Sequence, residues 1–279
     1  MRPIPTSFHL GPLEIHTYGI GLAITFWFGY RYFEHRLAKR GYPTDWVSTM
    51  FLWVIVSAIL GARAMHVLSD LSYYSAHPSQ IVAIWQGGLS SFGGLLAAVP
   101  VAIYIVKRRC PELSVLDGLD IVMPVLLAAW AMGRLLGPQL MVGGGGHPTS
   151  QWFGMYYDGQ VGRRIPVPLI QAAEDLTVYA VLIYTERRLS RWPNGSPRLG
   201  YPPGIVTGIG MILWGIERTL DERLWLGENG ALGSQLVQIA GVLLVIGGTW
   251  LLVRSTKRWR AWRDAQEVPV AVEETSTAN

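Results

Sequence analysis

The sequence predicts an all-α polytopic membrane protein, and three observations carry that expectation. Half of the 279 residues are hydrophobic, only 15% are charged, and the mean hydropathy is positive. Apolar runs long enough to cross a bilayer core of about 30 Å recur along the whole chain. Basic residues gather in every second connection between those runs, as in a chain threaded with its cationic loops on the cytoplasmic side.

Seven spans follow in order. The first, 16–33, has no small-residue cleavage site after its apolar run and is read as a retained span, not a signal peptide. The second, 46–68, carries Arg63 and His66 toward its outer end. The third, 89–106, opens on Gly87-Gly88-Leu89-Ser90-Ser91-Phe92-Gly93-Gly94, a poor helix former unless its backbone is buried in protein or lines a cavity. That stretch reads either as the broken mouth of a pocket or as a tight crossing through small residues. The fourth, 115–133, holds Asp120 and Pro124 and runs into Gly133-Arg134. Residues of about 134–165, with Gly143 to Gly146 inside them, form the longest outer connection: a small periplasmic head domain, or a floppy loop. Spans five to seven are 166–184, 203–219 and 233–253. Residues 1–263 thus read as a single seven-span membrane domain, and 264–279 as a disordered cytoplasmic tail.

Charge sets the orientation. Sixteen of the 23 lysines and arginines follow spans one, three, five and seven, which places the N-terminus in the periplasm and the C-terminus in the cytoplasm. The other seven are Arg2, Arg63, Arg134, Arg163, Arg164, Arg218 and Arg223, all toward outer ends or in outer loops, with no lysine among them. A guanidinium cannot shed its proton, and placing it in hydrocarbon costs about 3 kcal/mol or more. Arg63, Arg134 and Arg218, with Arg223 just beyond the sixth span, therefore point to a polar interior and a lipid phosphate, which the arginine fork grips bidentately. Snorkelling to outer headgroups, or pairing with nearby carboxylates, is the plainer account.

Several classes drop out. The pI near 9.3 reflects the cytoplasmic clusters, which suit an anionic leaflet and call for no nucleic acid. Lone Cys110 leaves no disulfide framework, and neither a metal site nor a cofactor is expected. A retinal protein needs a lysine in its last span, and 233–253 has none; a rhomboid-like protease would have only Ser90 or Ser91 with His66 for its dyad.

The motifs can now be read together. They are His-Leu-Gly-Pro-Leu-Glu-Ile-His-Thr-Tyr-Gly at 9–19, Gly61-Ala62-Arg63 with His66, Trp85-Gln86-Gly87-Gly88-Leu89-Ser90 followed by Gly93-Gly94, Asp120 with Pro124 and Gly133-Arg134, and Trp214-Gly215 with Arg218 and Glu222, then Gln235. In that order, over nearly the whole chain, they resemble the bacterial prolipoprotein diacylglyceryl transferases. The resemblance implies a multi-pass, monomeric enzyme of the bacterial plasma (inner) membrane. Its partners would be phosphatidylglycerol and the signal peptide and lipobox cysteine of a prolipoprotein. The diacylglyceryl group passes to the cysteine thiol and glycerol phosphate leaves. Arg134 and Arg218 are the implied catalytic residues; Arg134, Tyr18, Arg63, Ser90, Gly93, Gly94 and Glu222 the implied lipid-binding set. Glu222, four residues after Arg218, shares its helical face if the helix runs that far. Tyr18 is either a headgroup ligand or an interfacial anchor.

The chain departs from the family pattern at proton-handling positions. Phe92 stands where the family's Gly-Gly-Met-Ser-Phe-His-Gly-Gly has the histidine assigned to thiol activation. Leu135-Leu136-Gly137-Pro138 follows Gly133-Arg134 without the family's Asn and Glu, Ile165 to Gln171 replaces a His-Pro-Ser-Gln-Leu-Tyr-Glu segment, and Trp214 replaces a tyrosine. His66 is the candidate replacement base, with His16 and His147 as further ones. Three classes compete: an active transferase with an altered site, a catalytically silent paralogue that binds phospholipid or lipoprotein precursor, and a related enzyme with another donor or acceptor.

Overall fold

The computed structural model describes residues 6–10, 13–83, 90–137, 140–189, 199–224 and 230–266. The Trp85 to Leu89 part of the glycine motif and the tail beyond 266 lie outside the described residues, as do the side chains of His16, Tyr18 and Phe92. A two-stranded antiparallel hairpin, β1 (Ser7–Leu10) and β2 (Leu13–His16), precedes a helical chain. The long helices are α1 (Thr17–Ala38), α2 (Val47–Ser69), α4 (Ser91–Arg109), α5 (Val115–Leu136), α6 (Val167–Leu189), α7 (Ile205–Asp221) and α8 (Gly230–Gln266), with short α3 (Leu71–Ala76) after α2. Each overlaps one of the seven apolar segments. Four of them, α2, α5, α6 and the Val237–Ala261 part of α8, are long and apolar enough to cross a membrane, and the protein is an all-helical membrane protein apart from its hairpin.

Two short elements fall outside the hydropathy pattern: α3 and the 3₁₀ turn Pro78–Val82. Asp70 starts α3 by accepting the Tyr73 amide, so capping chemistry places it rather than hydrophobic periodicity. Helix α8 also overruns its apolar stretch and continues to Gln266, past residue 264 where the tail is expected to begin. The added residues, Arg254 to Gln266, are rich in good helix formers although hydropathy fades there.

The chain divides into two compact units. The unit of residues 30–118 is built on α2 and α4. Gly61 and Gly93 face each other so closely that a Cβ on Gly61 would lie 2.5 Å from the Gly93 carbonyl oxygen. Only glycine permits that approach, which maximises dispersion contact where no hydrophobic force drives helices together. Gly94 is likewise buried against Ala58 and Ala62. Gly93 and Gly94 therefore sit in a helix crossing. Phe33, Trp46 and Phe51 form an aromatic core nearby, with ring centroids 6.3–6.5 Å from Phe33.

The other unit, residues 1–29 and 119–279, holds α5 to α8. Buried Asp120, near the start of α5, accepts the Gly204 amide (2.7 Å), the Thr207 amide (2.8 Å) and the Thr207 hydroxyl (2.5 Å). It is a remote N-cap for α7, whose own capping residue, Gly204, has φ 95° and so requires glycine. Helices α7 and α8 meet along a small-residue seam, Gly208 against Gly248 and Gly215 against Gly241.

The connection between α5 and α6 is ordered over its described residues. Met155 and Arg164 exchange backbone hydrogen bonds (2.9 and 2.8 Å), Thr149 bonds Arg163, and Gln160 bonds both backbone groups of Gly145. It docks on the end of α7 through His147, whose amide donates to Leu224 and whose Nε2 donates to the Arg223 carbonyl at 3.1 Å.

Candidate active site

Three helices bring charged groups to one end of the 119–279 unit. Arg134 lies in the last turn of α5, Gln171 in the first turns of α6, and Asp221 closes α7. On α6, Gln171, Glu174 and Asp175 follow at i, i+3 and i+4; on α7, Trp214, Glu217, Arg218 and Asp221 follow at i, i+3, i+4 and i+7. Each set lines one face of its helix.

The two faces join. Gln171 Nε2 donates to Asp221 Oδ2 at 3.1 Å, and Trp214 Nε1 donates to Asp175 Oδ1 at 3.1 Å. Arg218 is ion-paired to Asp221 at 2.6 Å, and its guanidinium lies 5.8 Å from the centre of the Trp214 ring. Trp130 of α5 meets that ring edge-on at 5.1 Å. Glu174 feels the charges of Asp221, Glu217 and Arg218, and Glu217 those of Asp175, Arg218 and Asp221. Arg134 interacts electrostatically with Arg218, Asp175 and Asp221. The two arginines thus share the electrostatic field of the carboxylates Asp175 and Asp221.

The cluster is not saturated. Gln171 Oε1, Glu174 Oε2, Asp175 Oδ2, Glu217 Oε2, Arg218 Nε and Glu222 Oε1 are all buried with no hydrogen-bond partner among the described residues. Asp175 is 0% exposed and Gln171 1%, so water does not readily serve them. Buried polar groups left unmatched cost about 1–3 kcal/mol each, which a fold tolerates where a substrate completes the bonding. A buried ion cluster is weak evidence for stability and stronger evidence for function.

The remaining sequence-predicted residues are distributed as follows. Glu222 is buried in the 3₁₀ turn Glu222–Leu224 directly after Asp221. Arg63, in the 30–118 unit, donates through Nε to the Ile81 carbonyl at 2.9 Å and through Nη2 to the Gln80 carbonyl, and stacks 5.3 Å from the Tyr74 ring. His66 meets Tyr74 edge-on at 5.9 Å. Ser90 precedes α4 and its amide donates to Ala62, while Gly93 and Gly94 lie in the α2 and α4 crossing. Arg163 and Arg164 donate to backbone carbonyls of their own segment, Trp152, Gly154, Val161 and Gly146. Tyr18 is placed on α1 by its backbone.

Fold and cluster together define a polytopic helical membrane protein with an internal arginine and carboxylate site. The family model for prolipoprotein diacylglyceryl transferase matches residues 5–254. Proteins named phosphatidylglycerol–prolipoprotein diacylglyceryl transferase are similar over most of their length. That of Rhodospirillum centenum is 32% identical over 90% of this chain and 91% of its own, and that of Nitratidesulfovibrio vulgaris 30% over 89% and 93%. The Bacillus velezensis protein is 40% identical over 47% of each chain. The chain belongs to the prolipoprotein diacylglyceryl transferase family.

Gln171, Glu174, Asp175, Glu217 and Asp221 were not singled out from sequence. The signal was present: carboxylates inside apolar spans are as costly as arginines, and their i, i+3, i+4 spacing on two helices marks two polar faces that must meet.

Proposed function

We propose that this protein transfers the diacylglyceryl group of phosphatidylglycerol to the lipobox cysteine of prolipoproteins. The observation that carries this reading is the convergence of Arg134 and Arg218 in a buried cluster of a chain belonging to the transferase family. In the reaction a phosphate ester leaves with its charge, and two pre-oriented guanidiniums stabilise that charge without having to reorganise. Asp221, held by Gln171, fixes the Arg218 fork. The ring of Trp214 covers one face of it.

The wider reading follows. Residues 1–263 act as one seven-span domain of the bacterial inner membrane, with the N-terminus and the 134–165 segment outside and the C-terminus inside. The enzyme works as a monomer. Tyr18 and Glu222 contact the headgroup. Arg63 fixes the 78–82 turn through its carbonyl bonds.

A silent paralogue that binds phospholipid or precursor is the second reading, favoured by one observation: Phe92 cannot accept a proton. Expression in cells depleted of their own transferase separates the two. Diacylglyceryl attachment to a lipoprotein is expected; its absence, with the protein present in the membrane, would leave the silent paralogue.

A further inference from the structure

We propose that Glu217 is the proton acceptor for the lipobox thiol, an inference that rests on the transferase reading. The reaction needs such a group, because a thiol is a poor nucleophile until its proton is removed. Phe92 cannot provide one, and His147 directs its Nε2 to the Arg223 carbonyl.

The carboxylates of the cluster differ in their commitments. Asp221 accepts from both Arg218 and Gln171, and Glu174 stands on the opposite helix, α6, within the field of that pair. Asp175 accepts from Trp214 and is wholly buried. Glu217 has neither a side-chain hydrogen bond nor an ion pair among the described residues, its Oε2 is buried without a partner, and the residue keeps part of its surface accessible. It feels the charge of Arg218, so the acceptor would sit near the arginine that receives the leaving phosphate. Two further unpartnered oxygens, Asp175 Oδ2 and Gln171 Oε1, are fully buried in the same cluster, which marks it as a place where an incoming polar group completes the bonding.

The step balances without another reactant. The thiol proton passes to a Glu217 carboxylate oxygen, and the sulfur electron pair forms the S–C bond at the glycerol carbon bearing the phosphate. The C–O bond of that ester breaks with its electrons on oxygen, and glycerol phosphate departs against Arg134 and Arg218. The proton then leaves Glu217 for the product phosphate or for water.

The test uses the full chain in phosphatidylglycerol vesicles with a lipobox peptide, measuring thioether formation. Glu217→Gln is expected to lower kcat about 10²- to 10⁴-fold with KM for phosphatidylglycerol changed less than about threefold. Glu217→Asp should retain more turnover than Glu217→Gln, and added formate should restore part of the activity of Glu217→Ala. Wild-type turnover in Glu217→Gln, a loss confined to KM, or no response to formate would each overturn the assignment while leaving the transferase reading intact. No transfer by the unaltered chain would remove that reading, and this one with it.

Discussion

The arginines of the two compact units show two ways of keeping a guanidinium inside a membrane protein. Arg63 reaches across to the short 3₁₀ turn and donates to the carbonyls of Gln80 and Ile81, with Tyr74 over its face. Arg218 is held by a carboxylate, which is in turn held by an amide on another helix, beside Arg134 and several acids with unmatched oxygens. The first arrangement closes a local backbone problem. The second stores charge in a fixed geometry with capacity left over. Burial alone does not identify an anion-handling arginine; the nature of its partner does.

Removing charge from the second arrangement should have the largest effect. Arg134→Ala and Arg218→Ala are each expected to lower lipoprotein modification by at least about 10²- to 10³-fold, the usual loss when one charge-stabilising donor is removed from a transition state. Membrane levels of each variant should stay near wild type. Retained modification in Arg134→Ala would end the phosphate-holding role for that residue.

The 30–118 unit should break by packing instead. Gly93→Val places carbon atoms where the Gly61 carbonyl and the Met65 side chain already stand, so α2 and α4 must separate. Overpacking of this kind costs about 1–3 kcal/mol or more, and the expected result is loss of folded protein, seen as lowered thermal stability in detergent. Arg63→Gln comes next. It forfeits charge-assisted bonds to two carbonyls, about 1–3 kcal/mol of stability, while transfer per folded molecule is expected to stay within about threefold. A large drop in turnover without a drop in stability would instead give Arg63 a direct lipid contact.

Phe92→His sharpens the comparison chemically. If the α6 and α7 carboxylates already accept the thiol proton, a second acceptor adds less than about tenfold to transfer. A gain of about 10²-fold or more would show that the proton acceptor had been missing. Steady-state transfer by the variant and the unaltered chain decides between them.

These contrasts also mark what sequence can reveal. The long helices were legible because a bilayer imposes length and hydropathy on them. Arg134 and Arg218 were legible because a cation in an apolar run is anomalous. The carboxylates beside them obey the same physics, and only the joining of the two polar helix faces, which the sequence does not display, brings them together. The fate of Arg63 was not legible at all: its partners are main-chain oxygens, which every residue carries and no residue type announces. Nor did composition reveal whether the glycine-rich 134–165 segment was ordered, since that order rests on backbone pairing between Met155 and Arg164 and on the docking of His147.

The smallest expected effect tests that docked segment. Tyr157 is buried, and its hydroxyl has no hydrogen-bond partner among the described residues. Burial disfavours the phenolate and pushes the hydroxyl up to about 12, from an ordinary value near 10. Between those values an unfolded chain has lost the proton while the folded one keeps it, so this residue's contribution to stability is constant below about pH 10 and declines as pH rises toward 12. Tyr157→Phe deletes both the unmatched group and its titration. It should be neutral or stabilising by up to about 1 kcal/mol near pH 7, and should flatten the alkaline loss of thermal stability. If Tyr157→Phe instead destabilises the protein at neutral pH, the hydroxyl has a bonding partner and the segment is anchored there more firmly than its own contacts indicate.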